Sequence, residues 1–242
     1  MSYPPYPGPS EHPGEYPSYP TSRQPEIGYP PPAGYYIKEP EPARGLMIAS
    51  IVFAVLLTCF EIIEAALAWA AQSDYLDAAD QGLTGLDVST PYDFAALPYF
   101  ALLIAVYVVT CLWLHKVRTN AELIFPGAHH ARSKGWVWGS WICPVVSLWF
   151  PFQVVRDVAR DPREFKSNAL IGWWWAFWLT TLLVGQISSR LVGFGEINRD
   201  LVSALGTLET INAMLAIVGC ALWVTIVRRI GRDQDRLMHI TR

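Results

Sequence analysis

Five apolar runs, at about 45–71, 94–114, 136–155, 169–187 and 205–227, constrain this chain more than any motif in it. An α-helix rises ~1.5 Å per residue, so ~20 apolar residues cover the ~30 Å hydrocarbon core of a bilayer, and each run is long enough. A soluble domain of 242 residues has no core large enough to hide all five. Hydrophobic residues make up 52% of the chain, charged residues 16%, and the mean hydropathy is +0.24. The chain reads as an all-α integral membrane protein.

The third run differs from the others. Gly139, Pro144 and Pro151 interrupt it, and a proline inside a helix removes a hydrogen bond and clashes with the preceding turn. If this run crossed the membrane, the Lys and Arg residues would divide nine and nine between the two sides. If it enters and leaves on one side, they divide sixteen against two, as the positive-inside rule expects. The expectation is therefore four transmembrane helices within a membrane domain at 45–230, in a plasma membrane, with both termini cytoplasmic. Residues 136–155 form a re-entrant or interfacial segment on the cytoplasmic side, packed against the helices because bare backbone is not tolerated in lipid. Residues 231–242 make a basic cytoplasmic tail. The 72–93 loop carries Asp74, Asp77, Asp80, Asp87 and Asp93 without a base and faces outward.

Residues 1–44 hold 13 of the 19 prolines and 7 of the 11 tyrosines. Such a segment buries too little apolar area to offset its ordering entropy, so it is expected to be a disordered cytoplasmic tail with local polyproline II character. It lacks the apolar core of a secretory signal and is expected to stay on the mature protein. Two roles are open to it: multivalent capture of a protein partner, or a solvated spacer.

Ionisable residues within the apolar runs are the first candidate site. Glu61 and Glu64 lie three apart in the first run, and Glu209 and Asn212 in the last, so each pair shares a helix face. Gln186 and Arg190 fall at a similar depth, at the outer end of the fourth helix, and an ion pair of Arg190 with one of the three carboxylates is the economical arrangement. The cluster reads either as helix pairing or as a proton or cation site.

The second candidate is the stretch from Trp113 to Pro162, which contains WLHKVRTNAELI and SKGWVWGSWICPVVSLWFPFQVVRDVARDP. Tryptophans prefer the headgroup level, and flanking Lys and Arg can meet anionic lipid phosphates. Trp113, Arg118, Asn120, Trp136, Trp141, Pro144, Trp149, Pro151 and Arg156 are therefore candidates for a lipid or partner face. Eight of eleven tryptophans gather near one membrane face, which suggests an interfacial belt rather than a ligand cage. This stretch resembles a family of actinobacterial multi-pass membrane proteins known only as a domain of unknown function, whose members commonly carry Pro/Tyr-rich N-terminal tails. Trp113, Arg118, Asn120, Ala121, Gly135, Trp136, Trp141, Pro144, Pro151 and, loosely, Arg156 carry the resemblance. It implies the four-helix layout and brings no activity.

No HExxH, GxSxG or phosphate-binding glycine loop is present, the His129-His130 pair lacks further ligands at useful spacing, and Cys59, Cys111, Cys143 and Cys220 form no metal or redox pattern. A net charge of −3 gives no footprint for nucleic acid. The expected function is thus non-enzymatic and cofactor-free: recruitment or scaffolding at the cell envelope through the tail and the basic, Trp-rich inner face, which meets anionic lipid headgroups. The alternatives are a small transporter or channel subunit using the carboxylates, and a lipid-binding or lipid-modifying membrane protein.

Overall fold

The computed structural model describes residues 39–127, 130–159, 165–193 and 195–240, so the expected tail falls almost wholly outside the described residues. Within them the fold is helical: α1 (Arg44–Asp80), α2 (Pro91–Ile124), α3 (Trp136–Gly139), α4 (Phe150–Val158), α5 (Phe165–Leu191), α6 (Arg199–Val202) and α7 (Leu205–Ile240). Four of these, α1, α2, α5 and α7, are long and apolar enough to cross a membrane.

Local chemistry sets the ends. Helix α1 stops at Gln81, where Gly82 takes φ +68°, the left-handed conformation that glycine adopts without a Cβ clash. Helix α2 begins with Pro91 in its first turn, while the Thr90 N–H and hydroxyl both donate to Asp93 Oδ2 at 2.8 Å. Two expected boundaries move as a result of helix continuation. Residues 72–80 extend α1, which shortens the acidic loop to 81–90, and α7 runs on to Ile240, so most of the basic C-terminal tail is helix. In the shortened loop, hydrogen bonds from the Thr84 N–H and hydroxyl hold the Asp87 carboxyl below the usual carboxylate range.

Helix α1 packs along both α2 and α7, and α7 packs along α5, whereas α2 and α5 make no extended contact. The four long helices thus form an open series, α2, α1, α7, α5, with a gap between its outer members. Close approach of α1 and α7 depends on Gly206, where a Cβ would fall 2.5 Å from the Trp69 indole. The Trp69 Nε1 donates to Thr210 Oγ1 one turn on, at 2.9 Å.

One end of this series, here the basic end, carries Arg44 beside Asp235 and Asn120 beside Gln234. At the opposite, acidic end, Tyr75 donates to Asp93, Thr84 bridges Glu196, and Arg199 pairs with Asp80.

The Trp/Pro segment is broken into α3, a 3-10 turn at Val146–Leu148 and α4, none of them long enough to cross. It joins the C-terminal end of α2 to the N-terminal end of α5, so it enters and leaves at the basic end. Three of its carbonyls accept from the long helices: Tyr107 Oη donates to Trp138 O at 3.0 Å, Cys111 Sγ to Val137 O at 3.3 Å, and Trp175 Nε1 to Leu148 O at 2.8 Å. These bonds tie the irregular backbone of the segment to α2 and α5, as the packing expected of it requires.

Candidate functional site

The intramembrane polar cluster assembles from three helices. Glu61 on α1 is 6% exposed; its Oε1 accepts from Tyr99 Oη on α2 at 3.0 Å and its Oε2 from Asn212 Nδ2 on α7 at 2.8 Å. Glu209 Oε1 accepts from Tyr92 Oη at 2.8 Å, and Glu64 is half-buried one turn from Glu61. Asn212 Oδ1 is buried and has no hydrogen-bond partner among the described residues.

Arg190 and Gln186 do not join this cluster, which corrects the expected ion pair. Both are exposed on α5, and α5 packs on α7 without reaching α1 to any extent. Matching depth placed them near the carboxylates, but their angular position on α5 turns them away. The partners of the acids are neutral phenols and an amide, and no Lys, Arg or His is bonded to Glu61, Glu64 or Glu209 among the described residues. Tyr92 and Tyr99 were not singled out from the sequence, although their spacing of seven places them on one face of α2.

Glu61 also forms one end of a groove of about 550 Å³ that fills the gap between α2 and α5. Its floor is Leu57 and Ala54 of α1 with Ala216 and Gly219 of α7, and its walls include Leu103 and Ile104 of α2 and Phe177 and Leu182 of α5. Ile104 and Leu182 are exposed and make its lips, so it opens sideways, toward where lipid would lie. At the end away from Glu61 it is closed by Tyr107, Trp141, Trp174, Trp175, Trp178 and Trp223. These rings lock one another: Trp174 stacks on Trp223 at 4.8 Å, and Trp141 meets Trp175 and Trp178 edge-on at 6.1 and 6.4 Å. Five of the tryptophans thus line a cavity, which the sequence had not suggested, whereas Trp173 is 64% exposed.

The second candidate face is mostly interior. Trp113 is fully buried, Arg118 is 5% and Asn120 2% exposed, and Pro151 is buried in α4. Arg118 donates from Nε to Glu122 Oε1 and from Nη2 to Arg132 O, both at 2.9 Å, and lies 3.7 Å from Asp157 Oδ2. Asn120 donates to Glu41 O at 2.7 Å and to Gln234 Oε1 at 3.3 Å. These groups are consumed by the fold because a buried polar side chain is retained only where partners satisfy it. Trp136 packs its ring against Phe150, and Arg156 lies over Phe152. Pro144 and Trp149 stay exposed, as do Ile142, Val145 and Leu148 near them in the chain, and are the part of the proposed face that lipid could reach.

A second cavity, of about 620 Å³, lies at the basic end between α2, α4 and α7, with Asp157, Asp233 and Gln234 in its lining. Among the described residues no group of His, Cys, Asp and Glu is arranged to hold a metal ion. Cys111 is buried, whereas Cys59 and Cys143 are exposed.

A family model described as "Domain of unknown function (DUF4328)" matches residues 89–232, which takes in α2 to α6 and most of α7 and leaves α1 with Glu61 outside the matched region. No curated protein and no solved structure matches the chain.

Proposed function

This chain belongs to the DUF4328 family, and from that premise we propose, on geometry, that it is a non-enzymatic multi-pass plasma-membrane protein that takes an apolar small molecule from the bilayer into the groove between α2 and α5. The observation that carries this reading is the groove itself: a cavity of about 550 Å³, open sideways, walled by aliphatic and aromatic side chains, with one carboxyl at its end. Ligand pockets have this size and this mixture of apolar lining with a few placed polar groups. The reading sits closest to a carrier or transporter subunit. Recruitment of a protein partner through residues 1–44 is a second proposal, supported by their prolines and tyrosines.

The test is photolabelling of the full chain in nanodiscs with a neutral fatty alcohol that carries a diazirine. Adducts should concentrate on Leu103, Ile104, Leu182 and Leu215, and should fall at least fivefold in Gly219→Phe. A Cβ at Gly219 would stand 3.7 Å from Phe177 Cβ, an ordinary contact, so the larger ring fills the groove without a clash at its root. Ala216→Leu, a smaller filling, should give a partial loss. Adducts spread evenly over Ile48, Leu97 and the other exposed aliphatic side chains would defeat the proposal.

The basic end is proposed to be cytoplasmic, on the sixteen-to-two charge division. In a background without the native cysteines, Ser89→Cys should react with an impermeant thiol reagent added outside intact cells and Ser133→Cys should not. Both positions are exposed in the fold. The reverse pattern would invert the orientation.

A further inference from the structure

Resting on the groove reading, we infer that the ligand is an apolar organic cation. Glu61 is the one carboxylate in the lining of the groove, and no Lys, Arg or His lines it. Its two oxygens are held by Tyr99 and Asn212, donors that orient a carboxylate without cancelling its charge, and each oxygen keeps capacity for a further contact. Glu209, 5% exposed, and Glu64 are further carboxyl groups of the same cluster, and the buried Asn212 Oδ1 has no hydrogen-bond partner among the described residues. Arg190, expected from the sequence to pair with one of these acids, is exposed on α5. A buried carboxyl group with no basic partner in the fold is completed by a positive charge that arrives from outside.

The rest of the cavity selects the kind of cation. A compact metal ion holds its water tightly and needs several oxygens to replace it, and no such set exists among the described residues. The groove offers hydrocarbon and the faces of indole and phenol rings instead. A bulky organic cation is weakly hydrated, gains from aromatic faces, and brings apolar surface that the aliphatic walls can cover. The sideways opening past Ile104 and Leu182 lets it enter from the membrane, where such molecules accumulate.

The probes are tetraphenylphosphonium and tetraphenylborate, which share shape and apolar surface and differ in charge sign. Binding to the purified full chain in nanodiscs of neutral lipid is read by quenching of tryptophan fluorescence, with empty nanodiscs subtracted. The phosphonium should bind saturably and at least tenfold more tightly than the borate, and in Glu61→Gln that ratio should collapse toward one. Should Glu61→Gln fail to fold, the ratio measured on the unaltered chain still decides the matter. Equal binding of the two ions, or preference for the borate, overturns the cation assignment. If the neutral photoprobe still labels the groove in that case, the groove reading stands alone; if neither the photoprobe nor the phosphonium occupies the groove, both readings fall.

Discussion

Arg118→Ala is expected to lower the stability of the membrane domain by about 3–5 kcal/mol, the cost of removing one partner from a buried charge pair. The side chain of Arg118 is almost wholly enclosed, and so is that of Asp157, whose Oδ2 then keeps only the Arg132 N–H at 3.2 Å. Two further groups lose a partner, Glu122 and the Arg132 carbonyl. Lysine should not substitute, because its one nitrogen cannot reach the three separate acceptors that Nε, Nη1 and Nη2 of the guanidinium face here. The measurement is the SDS-denaturation midpoint of the purified protein, with recovery on size exclusion as a check. Adding Asp157→Asn should return part of the loss, since the neutral amide no longer leaves a charge stranded. A cost below about 1 kcal/mol, the size expected for a solvent-exposed pair, would show that water reaches this site. The network would then be open to headgroups after all.

Asn120→Leu is expected to cost on the order of 3 kcal/mol, for a different reason. Asn120 ties the segment ahead of α1 to α2 and α7: it accepts from the Glu41 N–H at 3.2 Å, donates to the Glu41 carbonyl, and donates to Gln234 Oε1. Glu41 is exposed and water can replace what it loses. Gln234 is buried, and its Oε1 would be left without a donor, a penalty of ~1–3 kcal/mol on top of the lost bonds. Gln234 also donates to the Val117 carbonyl at 2.7 Å, so it cannot simply rotate away. The double variant Asn120→Leu/Gln234→Leu should recover stability relative to Asn120→Leu alone, because it removes the stranded acceptor together with its donor. Additive losses in the double variant would mean that the two side chains act separately.

Several features of the fold were written in local chemistry. Run length and hydropathy define the four long helices, since ~20 apolar residues in lipid have no option but to satisfy their backbone within the segment. Pro144 and Pro151 argue against one continuous helix over 136–155, and the structure answers with α3, a 3-10 turn and α4, in whose first turn Pro151 sits. The spacing of Glu61 with Glu64 and of Glu209 with Asn212 placed each pair on one helix face, and those faces do meet.

What the sequence could not settle is the angular position of each helix. A membrane helix is apolar on nearly every side; α1 exposes Ile48, Val52, Val55, Leu56, Ile62 and Ile63 while burying Leu57, Ala65 and Ala68. No contrast of polar and apolar residues marks its inward face, as it would in a soluble bundle. Depth was therefore legible and direction was not. Arg190, at the right depth, turns away from the carboxylates, whereas Tyr92 and Tyr99 turn toward them. Tryptophans far apart in the chain, such as Trp141, Trp174 and Trp223, become walls of one groove. Tertiary packing decided these matters: the small residue Gly206 lets α1 lie close on α7, and α2 and α5 are left apart with Glu61 in the space between them.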